Sequence, residues 1–275
     1  NDAPAVFPLG ATTVTWTVTD NAGLTATATQ TVTVTDTEVP TITAPANVTV
    51  NSDAGSCDAT GVALGSAITA DNCGIASTIN DAPAVFPLGA TTVTWTVTDN
   101  AGLTATATQT VTVTDTEVPT ITAPANVTVN SDAGSCDATG VALGSPVTAD
   151  NCGIASTIND APAVFPLGAT TVTWTVTDNA GLTATATQTV TVTDTENPTI
   201  TAPANVTVNS DAGSCDATVI TLGSPVTADN CGIASTINDA PAVFPLGATT
   251  VIWTVTDNAG LTATATQTVT VTDTE

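Results

Sequence analysis

The chain has no lysine, no arginine and no histidine, against 25 aspartates and glutamates in 275 residues, for a formal net charge of -25. Each absence removes a class of chemistry. Without Lys or Arg nothing displaces counterions from phosphates, which excludes ordinary nucleic-acid binding and leaves a phosphate site without its cationic clamp. Without His there is no Ser-His or Cys-His nucleophile pair, no imidazole metal ligand and no imidazole acid or base. Missing Lys rules out Schiff bases and Lys-Asn isopeptide crosslinks. Tyrosine is also absent, and aromatics make up 3% of the chain, so no cluster offers itself for stacking on a sugar. No apolar run approaches the roughly 18 residues of a membrane span, and no signal peptide is visible.

What remains can fold, because 42% of the residues are apolar and the mean hydropathy is +0.31. The segment NDAPAVFPLGATTV begins at Asn1, Asn80, Asn159 and Asn238, a period of 79 residues. TDTE junctions then bound three complete units, 39–117, 118–196 and 197–275, with 1–38 as the back half of a preceding one. Because the sequence opens inside a repeat, both ends of a longer parent are expected to lie beyond it. Each complete unit carries six Asp and one Glu.

Within unit 39–117 the hydropathy alternates with a period of two. Val93, Trp95 and Val97 face one way and threonines the other; after the turn signal Asp99-Asn100-Ala101-Gly102 the pattern resumes through Leu103, Ala105, Ala107, Val111 and Val113, which predicts a hairpin. Ile42 to Val50 reads as another alternating strand, and Ala59–Leu64 and Ile75–Ile79 as shorter ones. About seven short strands with no helical stripe predict an all-β chain of tandem immunoglobulin-like β-sandwiches, arranged as a rod or filament and cored by Trp95 and Phe86. Gln109, Gln188 and Gln267 fall at inward parity, which predicts a bulge turning them outward or an ester crosslink to a threonine.

Each unit has two cysteines, Cys57 and Cys73, Cys136 and Cys152, Cys215 and Cys231. The even count, fixed spacing and lack of His favour a disulfide inside each unit over zinc, and an oxidising compartment; buried free thiols are the alternative. Closing a loop of about 15 residues is worth roughly 3 kcal/mol in the chain-entropy model.

In a sandwich of this kind the turn between the last two strands lies at the end where the chain enters. That places Asp71, Asn72, Asp99 and Asn100 beside the incoming Asp36 and Glu38. The set recurs as Asp115, Glu117, Asp150, Asn151, Asp178 and Asn179, and as Asp194, Glu196, Asp229, Asn230, Asp257 and Asn258. Asp53, Asp132 and Asp211 approach the following junction from the other side. Such carboxylate and amide oxygens suit Ca²⁺, and no basic side chain is present to neutralise them. An Asp-Asn turn needing no metal is the plain alternative. Asn47-Val48-Thr49, with its copies at Asn126 and Asn205, fits the glycosylation acceptor pattern, and the threonine rows suit an exposed strand face or ice. A glycosidase cleft does not fit a small repeated sandwich, so no enzyme is expected.

VPTITAPANVTVNSDAGSC, TADNCG, FPLGATTVTWTVTDNAG and the closing TVTVTD resemble the hyalin repeat over the whole unit. The resemblance implies an extracellular, immunoglobulin-like adhesion module of the kind found in long bacterial surface proteins. Members commonly have four cysteines; here Ala44 and Ala107 stand at two of those places, which implies the loss of one whole bridge. The expected function is a structural segment of a secreted or cell-surface repeat protein, a filament, stalk or adhesin shaft, with one disulfide per repeat and Ca²⁺ at the junctions. The alternative is an adhesin whose repeats bind a glycan or protein. Expected partners are neighbouring repeats and other copies in a filament, with no nucleic acid and no membrane insertion. The two strands of 1–38 are also open to completion by another molecule, as in strand-complemented fibres.

Overall fold

The computed structural model describes residues 1–274; Glu275, the last residue of the expected unit 197–275, lies outside them. All the regular structure among the described residues is β-strand. The chain divides into two compact units. One comprises Asn1–Pro119 with the tips Asp150–Gly153 and Asp178–Leu182, and the other Thr120–Ala149, Ile154–Thr177 and the residues from Thr183 onward.

The first unit opens with a hairpin of β1 (Gly10–Thr19) and β2 (Thr25–Val34). Eight strands follow: β3 (Thr41–Thr43), β4 (Val48–Asn51), β5 (Asp58–Thr60), β6 (Ile68–Ala70), β7 (Ile75–Asn80), β8 (Val85–Pro87), β9 (Gly89–Asp99) and β10 (Thr104–Thr114). One sheet has the order β4-β10-β9-β7, and the antiparallel pairs β3-β6 and β5-β8 make up the rest of the sandwich.

The expected single strand from Ile42 to Val50 is two strands in two sheets. Pro45, lying between them, has no N–H to give a ladder. Asn47 then accepts a hydrogen bond from Thr110 N at 2.9 Å, and β4 continues in parallel with β10, Val48 opposite Val111. That crossing is why eight strands appear instead of about seven. The expected strand at Ala59–Leu64 shortens to Asp58–Thr60, because Leu64 gives its carbonyl to Gln109 instead of to a ladder.

The hairpin of β9 and β10 forms as the alternation requires. Asp99 N donates to Leu103 O at 3.1 Å, Gly102 N to Asp99 O at 3.2 Å, and Gly102 adopts φ 92°, a left-handed value that suits glycine. Inward of it lie Val93, Val97 and Val111, fully buried, and Trp95 and Phe86, 6% and 3% exposed. Burying side chains of this size contributes about 1.5–3 kcal/mol each. The same sequence in β1 and β2 has no such cover: Trp16 is 50% exposed where Trp95 is 6%.

Gln109 corrects an expectation. It is fully buried, and β9 and β10 pair through it without a bulge, Gln109 opposite Val93. Its Oε1 accepts from Trp95 Nε1 at 3.1 Å, and its Nε2 donates to Ala46 O at 2.7 Å and Leu64 O at 2.9 Å. A buried indole N–H and two carbonyls freed at strand breaks need partners, and one amide supplies all three. None of those partners is a threonine, so the ester crosslink has no support here.

The second unit repeats these arrangements. Trp174 donates to Gln188 and Trp253 to Gln267, each at 3.1 Å, over the cores of Phe165 and Phe244. One position departs. Val219 takes φ 54° and is 96% exposed, where Gly61 and Gly140 take φ 62°. A β-branched residue is strained there and gains no burial in return. Val219→Gly should therefore stabilise the C-terminal repeat by about 1 kcal/mol, read as a higher denaturant midpoint of its unfolding transition; an unchanged or lower midpoint would count against the strain.

Candidate metal centre

Three clusters of aspartate follow from the fold. In the first unit Asp36 lies just after β2, Asp71 just after β6, and Asp99 ends β9 at the hairpin turn. Their nearest carboxylate oxygens, one from each, lie within 4.8 Å of one another. Asp115, Asp150 and Asp178 form a second such set within the same compact unit, and Asp194, Asp229 and Asp257 a third in the other unit.

Each carboxylate is held by one oxygen and leaves the other free. Asp36 Oδ1 accepts from Glu38 N at 3.1 Å, Asp71 Oδ2 from Cys73 N at 2.8 Å and Asp99 Oδ1 from Leu103 N at 2.8 Å. The opposite oxygens, Asp36 Oδ2, Asp71 Oδ1 and Asp99 Oδ2, are buried without a hydrogen-bond partner. The same oxygens are unpartnered in the other two sets. Asp99, Asp178 and Asp257 are each only 1% exposed. Buried carboxylate oxygens without a donor cost several kcal/mol unless something positive meets them, and this chain has no basic side chain to do so. Hard oxygen ligands with no imidazole fit a hard dication, Ca²⁺ above others, with carbonyls or water completing its six to eight ligands.

The other residues expected at these junctions have different places. Asn100, Asn179 and Asn258 donate to the carbonyls of Cys73, Cys152 and Cys231 at 2.8, 2.9 and 2.9 Å, stitching the hairpin turn to the Asp-Asn-Cys-Gly loop. At Gly74 a Cβ would lie 2.8 Å from Asn100 Nδ2, so that approach requires glycine. Glu117 and Glu196 accept from Gly55 N and Gly134 N, each at 2.9 Å. Glu38 meets the first cluster through its backbone N–H. Asn151 donates to Ser56 O and Asn230 to Ser135 O at 2.7 Å, and the Oδ1 of each is buried without a partner; their counterpart Asn72 is exposed. Asp53 stays within its own loop, accepting from Thr60 N and Oγ1 at 3.0 and 2.7 Å, and Asp132 and Asp211 do the same with Thr139 and Thr218.

The cysteines correct the expected pairing. Disulfides join Cys57 to Cys152 and Cys136 to Cys231, each across 95 residues with Cα atoms 4.8 Å apart; Cys73 and Cys215 are unpaired. Cys57 follows β4, whose last residue pairs with Thr114, whereas Cys73 lies beside Asp99 and Asn100, past the opposite end of β10. About ten strand residues at roughly 3.3 Å each separate those ends, far beyond the reach of a disulfide. Burial, and then the nearby carboxylates of Asp36, Asp71 and Asp99, push the Cys73 thiol above its ordinary value.

The fold and these clusters define a class: tandem immunoglobulin-like β-sandwiches that carry a cluster of three aspartates per repeat. The HYR domain matches residues 35–113, 114–192 and 193–271, and the chain belongs to that family. The matched frames start four residues ahead of the units taken from the sequence period. Hyalin of Lytechinus variegatus is 34% identical over 272 residues, covering 93% of this chain and 51% of that protein. The chain thus spans about half the length of that curated relative, which comes from a sea urchin and lends no support to a bacterial source. Among solved structures, extracellular cadherin domains 3–6 of Protocadherin Gamma B2 align at 14% identity and a TM-score of 0.35, covering 96% of this chain and 84% of that one. Drosophila N-cadherin EC1-4 aligns at 13% identity and a TM-score of 0.35, covering 98% and 85%. No helix among the described residues is long and apolar enough to cross a membrane.

The pairing is directly measurable. Trypsin finds no site in the chain, so the non-reduced protein should be digested at Asp and Glu and its peptides weighed. Linked peptides should contain Cys57 with Cys152 and Cys136 with Cys231; a Cys57–Cys73 link would contradict the structure.

Proposed function

We propose that this chain is a structural segment of a long extracellular repeat protein, a filament, stalk or adhesin shaft, in which Ca²⁺ braces each junction. The ligands are the carboxylates of Asp36, Asp71 and Asp99; of Asp115, Asp150 and Asp178; and of Asp194, Asp229 and Asp257. The observation that carries this reading is the set of buried, unpartnered carboxylate oxygens facing one another at all three places. In each set one aspartate follows the last strand of one repeat and the other two sit on turns of the next, so a bound dication draws the connecting segment onto the repeat that follows. With repeats divided at 39–117, 118–196 and 197–275 each set spans a boundary, whereas the family frames 35–113, 114–192 and 193–271 hold each set within one repeat, its first aspartate at the very start. The role is mechanical and not enzymatic, and the partners are the neighbouring repeats and further copies of the chain. Membership of a family that includes Hyalin supports the extracellular placement.

Calorimetry on chelator-stripped protein should detect three Ca²⁺ equivalents per chain. At a hundredfold excess over Kd each bound ion adds about 2.7 kcal/mol to the stability of the repeats it joins, so melting should move up with Ca²⁺ and down with EGTA. Absence of both heat and a melting shift would overturn the proposal.

A further inference from the structure

The complete repeats are near copies of one another, so a stretch where one of them departs is a signal. The third differs from the second by Asn197 for Val118, Ile252 for Thr173 and three consecutive residues: Val219-Ile220-Thr221 stands where the second has Gly140-Val141-Ala142. We infer that these three residues complete a peptide-binding cleft in the third repeat, which takes an extended, apolar and basic segment of another protein as an added strand.

The cleft lies along a free sheet edge. The strand Val206–Asn209, counterpart of β4, is the outermost of its sheet and pairs in parallel with Thr262–Thr272. Ser210 N donates to Thr272 O at 3.0 Å, so by alternation the N–H and C=O of Thr207 and Asn209 turn to the unpaired side. Beside this edge is a cleft of about 400 Å³ whose apolar lining comes from Val206, Val208, Ala217, Val219 and Ile220. Val206, Val208 and Ile220 are half-buried, and their side chains pack against the core of the repeat.

Val219 is the residue that intramolecular packing does not explain. It holds φ 54° while 96% exposed, in a conformation for which the other two repeats use glycine. Strain with no burial to offset it persists at binding surfaces, where a partner supplies the burial.

The chemistry of the cleft selects its occupant. Unpaired backbone groups on an edge recognise another extended chain, and the apolar wall beside them takes alternate side chains of that chain. No aromatic ring is among the lining residues, so a sugar finds no stacking face. Asp211 is exposed at the cleft and uses Oδ2 to accept from Thr218 N and Oγ1 at 3.0 and 2.8 Å, which leaves Oδ1 for a cation. Every charged side chain of this protein is acidic, so a second copy brings only like charge, whereas Lys or Arg beside apolar residues is attracted.

The test is a titration of the full chain, at physiological salt, into a fluorescently labelled synthetic peptide that alternates valine and lysine. One tight equivalent should bind, and the peptide that alternates valine and glutamate should not. The variant Val219→Gly/Ile220→Val/Thr221→Ala, which carries the second repeat's sequence at these positions, should bind the lysine peptide about tenfold more weakly, the scale of one apolar side chain left out of an interface. Its denaturant midpoint should not fall, since the same residues fold in the second repeat and glycine relieves the strain at 219; weaker binding then reports the cleft and not lost folding. Equal affinity of the variant would mean that the peptide merely follows the overall acidity, and would overturn the inference, as would no binding to the native chain. The Ca²⁺ proposal stands or falls separately, on its own calorimetry.

Discussion

Buried carboxylates that face one another in a chain without a single basic residue impose the constraint around which the junctions are organised. In most proteins an Arg or Lys would answer such a cluster, and the pair would be an ordinary salt bridge. Here no side chain of the chain can do so. The backbone takes one oxygen of every aspartate into a turn hydrogen bond, which fixes the carboxylate in place. Folding a sandwich thus positions two aspartates of each set, and the segment leading into it supplies the third.

The sandwich itself is held by simpler means. Period-two alternation and the Asp-Asn-Ala-Gly turn define the longest hairpin, and valines with one Trp and one Phe fill the interior. Those features are local and were legible in the sequence, as was the convergence of the aspartates, which needed only the knowledge of which turns share an end. What escaped were consequences of strands exchanging sheets. Pro45 divides what reads as one strand, and the carbonyls freed at Ala46 and Leu64 are then bound by a glutamine whose inward parity looked like an error in the pattern. The signal was present: a buried Trp needs an acceptor for its N–H, and Gln109 is the polar residue of β10 that faces the core.

The cysteine pairing was misjudged for a similar reason. Sequence distance makes Cys57 and Cys73 natural partners, but the topology sends them to opposite ends of the repeat. The expected placement of Asp53 toward the following junction and of Asp71 toward the incoming one already implied this, since each lies within four residues of one of those cysteines. A bond across 95 residues does different work from one across about 15: it fastens consecutive repeats to each other, where a local bridge would only reinforce a core that hydrophobic burial already supports. The half-cystines Cys152 and Cys231 lie within two residues of Asp150 and Asp229, members of the aspartate clusters.

The most direct test is a crystal structure of the chain grown with Ca²⁺. The account predicts an ion about 2.3–2.6 Å from carboxylate oxygens of Asp115, Asp150 and Asp178, the range typical of calcium. Aspartates that splay apart toward solvent around an empty centre, in crystals grown at saturating Ca²⁺, would contradict it.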